Sequence, residues 1–466
     1  MGERYDIVFL GGGPAGYQGA IRAAQLRAKV AVIEGREVGG VCLNRGCIPT
    51  KTVKASADTA RAVRRAKEYG IEATGGVPDM AAVIARKDRV VGALRSSVER
   101  LFQANRIDLI RGTGRLLGRD RIGVEGEGEG GRTSVEAAKV VIATGSRPAV
   151  LTALPASPRV FVPDEMLFHP VLPARLLVVG GGVVGVEMAA IYRELGSQVT
   201  IVEVLDRILF TEDREMAEYL LKVLQRRKVK VLCRTKVETV RETPEGLRAL
   251  LSDGSEIEAD ALLQAVGRRL NTDEIGLQEA GVAMDGARVL VDDHLRTNIP
   301  GIYAAGDVTG GWLLAHVAFA EGICAAENAL GVESLMDRTA VPRCVFTTPE
   351  YASVGLSEEE ASRDRKIKVS RFPFKGVGMA QAMGELEGLV KVIAVVGTDK
   401  ILGAHVIAPH AGDLIGELTV AMRAGLPSKS ILETIHIHPT LSEGILETVQ
   451  ALHGRAIHIP GGGSTS

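Results

Sequence analysis

Residues 5–16 read Y-D-I-V-F-L-G-G-G-P-A-G, a short apolar run that ends in a glycine-rich turn. The same arrangement returns at residues 176–185, which read L-L-V-V-G-G-G-V-V-G. In each copy a helical stretch and a second apolar run follow, and the run closes on Glu34 in the first copy and on Glu203 in the second. Both acids stand 23 positions after the leading glycine of their copy. Two such units with an acid at matched distance predict two dinucleotide-binding βαβ units.

Each position of the repeated turn has a task in binding a nucleotide. The first glycine permits the tight turn out of the strand, the second lets a pyrophosphate approach backbone N–H groups at a helix N-terminus, and the third lets the helix pack closely on the sheet. The closing acid accepts hydrogen bonds from ribose hydroxyls. The glycines are Gly11, Gly13 and Gly16 in the first copy and Gly180, Gly182 and Gly185 in the second. Two purely structural turns are the alternative, which the matched duplication disfavours.

Length and composition describe an ordinary globular enzyme-sized chain. Its 466 residues predict about three domains, since a domain usually has roughly 100–200 residues. Lys and Arg number 56 against 57 Asp and Glu, so the chain lacks the basic footprint of a general nucleic-acid binder. Hydrophobic residues make up 46% and charged residues 24%, which is too apolar for a disordered protein. Only 5 cysteines exclude a disulfide scaffold but permit a special pair.

The sequence predicts neither a signal peptide nor a membrane span. The first apolar run, at residues 7–10, follows two acidic side chains and is far shorter than a signal-peptide core. The longest apolar stretch, at residues 176–186, contains four glycines and falls well short of the ~18 residues of a spanning helix. We therefore expect a location in the reducing cytoplasm, where a disulfide is more often catalytic than structural.

Cys42 and Cys47 lie in the stretch G-G-V-C-L-N-R-G-C-I-P-T-K at residues 39–51. Neither a second cysteine pair nor a histidine pair stands near them in the sequence, so the spacing does not predict a zinc site. Residues five apart in a regular helix advance about 7.5 Å and face different sides, so the backbone must bow for the two side chains to meet. We expect Pro49 to keep Ile48 out of helical angles, and a helix beginning near Pro49 to stabilise a thiolate at Cys47. Two unrelated buried thiols are the alternative.

Near the C-terminus, residues 436–443 read H-I-H-P-T-L-S-E. The H-x-H pair is compatible with a metal site, but the sequence offers no carboxylate or cysteine cluster to complete one, so we predict no metal. A structural histidine is a second alternative. We favour a general base at His438, held in one tautomer by the carboxylate of Glu443. His316 is predicted to be a packing residue without a proton-transfer role, and the remaining cysteines are predicted core residues: Cys233, Cys324 and Cys344.

The cysteine stretch between two dinucleotide fingerprints resembles the flavoprotein disulfide reductases, and the similarity covers essentially the whole chain. Residues 438–443 resemble the H-P-T-x-S-E segment of that family, in which the histidine reaches the disulfide of the other subunit. Further segments resemble its flavin-contacting, nicotinamide-closing and interface-opening segments: Ala143-Thr144-Gly145, residues 297–307 (T-N-I-P-G-I-Y-A-A-G-D), residues 267–271 (G-R-R-L-N) and Thr348-Pro349-Glu350.

The resemblance implies two cofactors, FAD and NAD. It implies FAD contacts at Gly11, Gly13, Gly16, Glu34, Lys51, Gly114, Thr144, Gly145, Asp307 and Ala315. It implies NAD contacts at Gly180, Gly182, Gly185, Glu187, Glu203 and Gly267. In the family an ion pair lies beside the flavin ring, and Lys51 and Glu187 are the residues expected to form it.

The fold that the resemblance implies is α/β, with two Rossmann-like dinucleotide-binding domains, for FAD and NAD, and a C-terminal α+β dimerisation domain. The expected FAD-binding parts are residues 1–148 and 273–342, and the expected NAD-binding domain is 149–272. The expected interface domain is 343–460, and residues 461–466 are an expected flexible tail. Val377 and Met379 depart from the family pattern, because relatives usually carry an Asn and an Arg there.

The activity that the resemblance implies is FAD-dependent oxidation of protein-bound dihydrolipoamide with reduction of NAD⁺. Cys42 and Cys47 form the redox-active disulfide, and His438 with Glu443 supplies the base across a homodimer. The implied partner is a lipoyl domain of a 2-oxo acid dehydrogenase complex or of the glycine cleavage system, with no nucleic acid or membrane.

Alternatives remain open at this stage. One is an NADPH-dependent reductase of a small disulfide such as glutathione, which Glu203 disfavours because a carboxylate repels a 2′-phosphate. Arg207, four positions on, weakens that argument. A mercuric reductase is disfavoured further, since the chain lacks terminal vicinal cysteines. A non-enzymatic flavin redox sensor predicts loss of the cysteine pair or of the base, and both are present.

Overall fold

The structure is a computed structural model, and it describes residues 4–126 and 132–459. The expected tail at 461–466 lies outside the described residues. The strands, numbered in chain order, are β1 (Arg4–Leu10), β2 (Val30–Glu34), β3 (Asp108–Arg111), β4 (Thr113–Leu116), β5 (Arg121–Glu125), β6 (Arg132–Ile142), β7 (Ser146–Pro148), β8 (Val160–Phe161), β9 (Arg175–Val179), β10 (Gln198–Val202), β11 (Lys230–Leu232), β12 (Val237–Thr243), β13 (Gly246–Leu251), β14 (Glu256–Ala259), β15 (Ala261–Gln264), β16 (Arg268–Leu270), β17 (Met284–Asp285), β18 (Arg288–Val289), β19 (Ile302–Ala304), β20 (Arg343–Val345), β21 (Glu350–Gly355), β22 (Ile367–Pro373), β23 (Leu389–Val395) and β24 (Ile401–Ala408). The α-helices are α1 (Pro14–Gln25), α2 (Gly40–Asn44), α3 (Cys47–Arg65), α4 (Met80–Ala104), α5 (Pro163–Met166), α6 (Val183–Leu195), α7 (Arg214–Arg226), α8 (Ala315–Ala329), α9 (Glu358–Ala361), α10 (Gly378–Ala382), α11 (Ala411–Arg423), α12 (Ser428–Leu432) and α13 (Glu443–Leu452).

The first sheet carries the first glycine turn. Its strand order is β3-β2-β1-β6-β5-β4, and β19 pairs with β6. Strands β1, β2, β3, β6 and β19 run parallel, whereas β4 and β5 add an antiparallel edge. Leu10, the last residue of β1, pairs with Ile33 on one side and Ile142 on the other. The turn that follows Leu10 therefore lies at the carboxyl edge of the parallel strands, where α/β sheets bind nucleotides.

The second sheet repeats this arrangement for the second turn. Its order is β11-β10-β9-β15-β8, with all described pairs parallel. The turn at residues 180–182 connects β9 to α6, as the turn at residues 11–13 connects β1 to α1. A separate three-stranded antiparallel sheet, β12-β13-β14, packs beside this unit. The predicted α/β class with two dinucleotide-binding units is confirmed.

The third sheet lies in the C-terminal part of the chain and is antiparallel, in the order β20-β21-β24-β23-β22. Helices α11 and α13 bury apolar faces on it. Val377 and Met379 lie beside this core. Val377 is 3% exposed and lies next to Phe374 and Gly444, and Met379 packs partly against the same cluster. Apolar packing thus occupies the place where relatives carry an Asn and an Arg.

A buried group of charges joins the second unit to the C-terminal sheet. The ammonium of Lys391, on β23, lies 2.9 Å from Asp213 Oδ2 at the start of α7 and 2.9 Å from Glu215 Oε2. A third carboxylate, that of Glu358 on α9, also contacts it. The Lys391 side chain is only 1% exposed. Paired in this way, the ammonium avoids the large penalty of an isolated buried charge.

Candidate active site

The cysteine stretch folds as two helices separated by Arg45 and Gly46. Cys42 lies in the short helix α2, and Cys47 is the first residue of α3. The prediction that Pro49 keeps Ile48 out of helical angles is wrong, because both residues lie within α3. Proline fits the first turn of a helix, where its missing N–H has no intrahelical acceptor. The helix therefore starts two residues earlier than expected, and its positive end lies at Cys47 itself.

Asn44, which with Gly46 suits a bowed backbone between the two cysteines, stabilises this segment through its side chain. Its side chain is 4% exposed, and its Nδ2 donates to the carbonyls of Val38 and Gly40, each at 3.0 Å. The amide thus ties the end of α2 to its own first residue and to the chain that precedes it. In the sequence, this role is indicated by the asparagine that lies between the two cysteines.

The two cysteines are free thiols and differ in acidity. A hydrogen bond with Cys42 lowers the pKa of Cys47 to about 7, against the opposing effect of burial, and the Lys51 ammonium adds to this effect. The same hydrogen bond, together with burial, raises the pKa of Cys42. As the pH rises through about 7, the pair therefore takes its negative charge on Cys47 while Cys42 keeps its proton. A thiolate at a helix N-terminus beside a lysine is the arrangement expected of a reactive cysteine.

Lys51 and Glu187 form the ion pair that the sequence favoured. Lys51 Nζ lies 2.9 Å from Glu187 Oε2, which brings α3 and α6 together across 136 positions of sequence. Glu187 is 6% exposed, and its other oxygen accepts the backbone N–H of Phe346 at 2.8 Å. The Lys51 ammonium also lies 4.1 Å from the centroid of the Phe346 ring.

The first glycine cradle, Gly11–Gly13 with Glu34, has the shape that a dinucleotide requires. Gly11 has φ +110°, and a Cβ there would meet the Ala143 carbonyl oxygen at 2.3 Å. A Cβ on Gly16 would lie 1.8 Å from the Gly11 carbonyl oxygen, so α1 packs directly on the turn. Glu34 accepts the backbone N–H of Gly12 at 2.8 Å. Each oxygen keeps a free lone pair, because a carboxylate has about four acceptor positions.

The second cradle, Gly180–Gly182 with Glu203, repeats these values closely. Gly180 has φ +108°, with a Cβ again 2.3 Å from a carbonyl, that of Ala265. A Cβ on Gly185 would meet the Gly180 carbonyl at 2.0 Å. Glu203 accepts the N–H groups of Gly181 at 2.6 Å and of Leu205 at 2.8 Å. Both cradles fit a dinucleotide by the same test: only glycine fits at the first and third positions, the middle position leaves open space, and the acid is already oriented.

Asp307 lies in a polar network that also holds the end of β7. Ser146 Oγ donates to Asp307 Oδ2, and the Arg268 guanidinium donates to Ser146 Oγ at 2.7 Å. Thr144 and Asn271 exchange hydrogen bonds of 2.7 and 2.9 Å. Ser146 and Arg268 were not among the predicted site residues, although each directly follows a quoted segment or lies in one.

The other predicted flavin and nucleotide contacts are placed as follows. Gly114 lies in β4, where a Cβ would meet Leu10 Cδ1 at 2.2 Å and Ile33 Cγ2 at 3.1 Å. Gly145 and Gly267 both have positive φ and open space around the missing Cβ, and they flank the antiparallel pair β7–β16. Ala315 is the first residue of α8 and is half-buried.

His438 and Glu443 form the predicted hydrogen bond at the other end of the chain. His438 Nδ1 lies 2.8 Å from Glu443 Oε1, and the Thr440 N–H donates to Glu443 Oε2 at 3.0 Å. Burial alone would raise the pKa of Glu443, but these hydrogen bonds and the nearby histidine hold it below its usual value. The His438 ring is 77% exposed. Within residues 4–126 and 132–459 of this one chain, no hydrogen bond joins the pair to the cysteine segment.

The neighbouring histidine has a different environment. His436 Nε2 lies 3.0 Å from Glu417 Oε1, and its side chain is nearly buried. Among the described residues, no group of three or more His, Cys, Asp or Glu side chains is arranged to hold a metal ion. His316 differs from its predicted packing role: its ring is exposed and hydrogen-bonded to the Pro342 carbonyl at 2.8 Å.

The cysteines outside the pair only partly match the prediction that they are core residues. Cys324 is buried, whereas Cys233 and Cys344 are half-buried. Over the ranges 4–126 and 132–459, no helix has the length and apolarity to cross a membrane.

Two family models match the chain. The model described as pyridine nucleotide-disulphide oxidoreductase matches residues 5–322, and the dimerisation domain of the same class matches residues 341–449. A dihydrolipoyl dehydrogenase of Thermus scotoductus is 44% identical, covering 98% of this chain and 99% of the relative. One of Chlamydia pneumoniae is 40% identical, covering 99% of each. The crystal structure of LpdA from Mycobacterium tuberculosis superposes with a TM-score of 0.90 at 31% identity, covering 96% of this chain and 99% of that one.

Proposed function

Because this chain belongs to the pyridine nucleotide-disulphide oxidoreductases, we propose that it oxidises the dihydrolipoamide of a partner protein and reduces NAD⁺, as a dihydrolipoyl dehydrogenase does. The observation that carries the proposal is geometric: Cys47 is the first residue of α3, Cys42 lies in the adjoining helix α2, and Lys51, one turn further along α3, is paired with Glu187. The lowered pKa of Cys47 supports the same proposal. Full-length similarity to dihydrolipoyl dehydrogenases supports the same activity.

FAD fits the first cradle. Gly11, Gly13 and Gly16 would admit its pyrophosphate to the N-terminus of α1, Glu34 would accept its ribose hydroxyls, and Asp307 would bind its ribityl chain. Gly114, Thr144, Gly145 and Ala315 would line the same channel, with Lys51 at the ring. When bound, FAD accepts an electron pair from the cysteines and passes it to NAD⁺.

The chain's own residues carry the sulfur chemistry. In the oxidised enzyme Cys42 and Cys47 form a disulfide. A substrate thiolate attacks Cys42 Sγ, forming a mixed disulfide, and the Cys42–Cys47 bond breaks to leave a thiolate at Cys47. The second substrate thiol then attacks the substrate sulfur of the mixed disulfide, which closes the cyclic product disulfide and releases Cys42 as a thiol. The helix end at Cys47 and the Lys51 ammonium stabilise the leaving thiolate.

His438 is the base in this proposal. Glu443 accepts the Nδ1–H, which leaves Nε2 as the basic atom that takes the proton of the incoming thiol. The exposure of His438 in the single chain supports a dimer in which it faces the cysteine pair of the other copy. The dimerisation-domain match at residues 341–449 supports such a homodimer. A lipoyl domain is the proposed partner, and the reducing cytoplasm is the proposed compartment.

NAD is the coenzyme that we propose for the second cradle. Gly180, Gly182 and Gly185 would receive its pyrophosphate, Gly267 and Glu187 would also contact it, and Glu203 would accept the 2′-hydroxyl. Glu203 would repel a 2′-phosphate. Arg207 does not offset this repulsion, since its guanidinium donates to the Phe210 carbonyl at 3.0 Å and lies beside Asp206.

Steady-state rates with two substrate pairs test the proposal on the purified holoenzyme. We expect kcat/KM for NADH with lipoamide to exceed that for NADPH with glutathione by at least about 100-fold. Glu203 would discriminate between the coenzymes, and the proposed lipoamide site between the disulfides. The crossed pairs, NADPH with lipoamide and NADH with glutathione, separate coenzyme choice from disulfide choice. A preference for NADPH and glutathione would overturn the assignment.

A further inference from the structure

Phe346 touches both members of the Lys51–Glu187 ion pair. It directly follows β20, in the part of the chain matched by the dimerisation domain, whereas Lys51 lies on α3 and Glu187 on α6. Its ring centroid lies 4.1 Å from Lys51 Nζ, and its backbone N–H donates to Glu187 Oε1 at 2.8 Å. The cation is thus held by the ring and the anion by the backbone of one residue.

We propose that Phe346 is a positioning residue whose ring face fixes the direction of the Lys51 ammonium toward Cys47. The proposal rests on the function proposed above, in which Cys47 is the thiolate of the reduced enzyme. Phe346 contacts no reacting atom in this scheme and acts only through Lys51.

The geometry explains why a second contact is needed. A lysine side chain is a flexible stem with a point charge, so one carboxylate fixes its distance but leaves its direction free. The Glu187 side chain is only 8% exposed and accepts the Phe346 N–H, so the carboxylate is fixed in place, whereas the direction of the ammonium depends on its further contacts. An aromatic face on one side of the ammonium attracts it through the ring quadrupole and so favours one direction.

Direction matters because the two charges act on Cys47 with opposite signs. The Lys51 ammonium lowers the pKa of Cys47, and the Glu187 carboxylate raises it. If the ammonium turns away from Cys47 while the carboxylate stays, the balance moves toward the protonated thiol. The remaining cysteines do not obscure this effect, because burial raises the pKa of Cys233, Cys324 and Cys344, and burial with the Cys47 hydrogen bond raises that of Cys42.

The test compares variants of the holoenzyme in its two-electron-reduced state. The readout is the long-wavelength absorbance band of a thiolate–flavin contact, titrated against pH in place of activity. Phe346→Leu keeps the backbone N–H but removes the ring face, so we expect the midpoint to move to higher pH. At a pH below the wild-type midpoint, the thiolate population of the variant should be at least about threefold smaller than that of the wild type. Phe346→Tyr keeps the ring and should leave the midpoint unchanged.

Fluorinated phenylalanines at position 346 decide between electrostatics and packing. One, two and three ring fluorines weaken the negative ring face stepwise while leaving its shape almost unchanged, so we expect a graded upward shift of the midpoint. If Phe346→Leu fails to fold or loses FAD, this near-isosteric series still gives the answer. A flat series, or a Leu variant with the wild-type midpoint, would overturn the proposal. A wild-type enzyme without the band or without lipoamide activity would instead refute the proposed function, so the two failures are distinct.

Discussion

The two glycine cradles share their backbone geometry but differ in what surrounds them. Their leading glycines have φ values of +110° and +108°, and a Cβ on either would meet a carbonyl oxygen at 2.3 Å. The middle glycines differ. Gly13 faces Gly40, whose Cα lies 3.8 Å from the position of a Cβ, whereas nothing lies within 4 Å of a Cβ on Gly182. Gly39 N–H also donates to the Gly12 carbonyl at 2.8 Å.

The segment that closes over the first cradle is the one that carries the cysteines. Around the second cradle, by contrast, Val183 and Val184 remain 36% and 40% exposed. The two fingerprints share one backbone geometry, so we expect the chain that follows each of them to set how readily a bound nucleotide is exchanged. An enclosed cradle suits a resident FAD, and an open one suits a coenzyme that enters and leaves in each turnover.

We expect the largest effect from replacing Cys47, which lies in the segment that covers the first cradle. Cys47→Ser removes the leaving thiolate and should lower lipoamide turnover by at least about 1,000-fold, since loss of a group that acts covalently abolishes the reaction path. NADH-dependent reduction of ferricyanide, which needs both cradles but no disulfide, serves as the control and should persist. Equal loss of both activities would show that the substitution damages a cradle.

Matched alanine substitutions at the middle glycines probe enclosure itself. Neither Cβ meets a clash in the chain alone, so thermal unfolding of the FAD-free protein should be unchanged for both. Gly13→Ala should yield enzyme with substoichiometric FAD, measured by flavin absorbance per chain. Gly182→Ala should keep its FAD but raise the KM for NAD⁺ by about tenfold or more, because the methyl keeps the pyrophosphate from the N–H groups. Identical behaviour of the two variants would contradict the distinction between the cradles.

Glu203→Gln tests the acid of the open cradle. Losing a hydrogen bond to a charged group should raise the KM for NAD⁺ by about tenfold, and removing the repulsion should improve the use of NADP⁺ relative to NAD⁺. Steady-state kinetics with both coenzymes measure this ratio, and FAD content should stay at one per chain. An unchanged ratio would remove Glu203 as the discriminating residue.

The smallest effect concerns acidity in the enclosed region. With the pKa of Cys47 at about 7, the thiolate–flavin band of the reduced enzyme should grow as pH rises through about 7 and fade below it. Cys42→Ala cannot form the disulfide, so its band is recorded with oxidised FAD and without prior reduction; the substitution removes the hydrogen bond that contributes most to this acidity and should move the midpoint to higher pH. Cys42→Ser keeps a donor and should move it less. A Cys42→Ala midpoint equal to that of the wild-type enzyme would show that Cys42 does not set the acidity of Cys47.

Sequence predicted the two cradles because their geometry is local. A glycine with positive φ, a helix start and an acid at fixed spacing leave their pattern within about 25 residues. The Lys51–Glu187 pair was expected only through the family resemblance, since the two residues stand 136 positions apart. Phe346 was missed for the same reason: nothing near it in the chain indicates that its ring meets a lysine. The helix start at Cys47 was misplaced because a proline is compatible with the first helical turn as well as with a preceding break.

Carboxylates from two parts of the chain enclose the ammonium of Lys391. This arrangement limits which parts of the protein can be exchanged between relatives. A chimera that packs the second dinucleotide-binding unit against a C-terminal sheet lacking Lys391 and Arg343 would bury Asp213 and Glu212 without the charges that neutralise them. Breaking a buried pair by removing one partner destabilises by about 3–5 kcal/mol. Chimeras that exchange the coenzyme unit between relatives must therefore carry the matching C-terminal sheet with it, and the smallest interchangeable piece is larger than a single Rossmann unit.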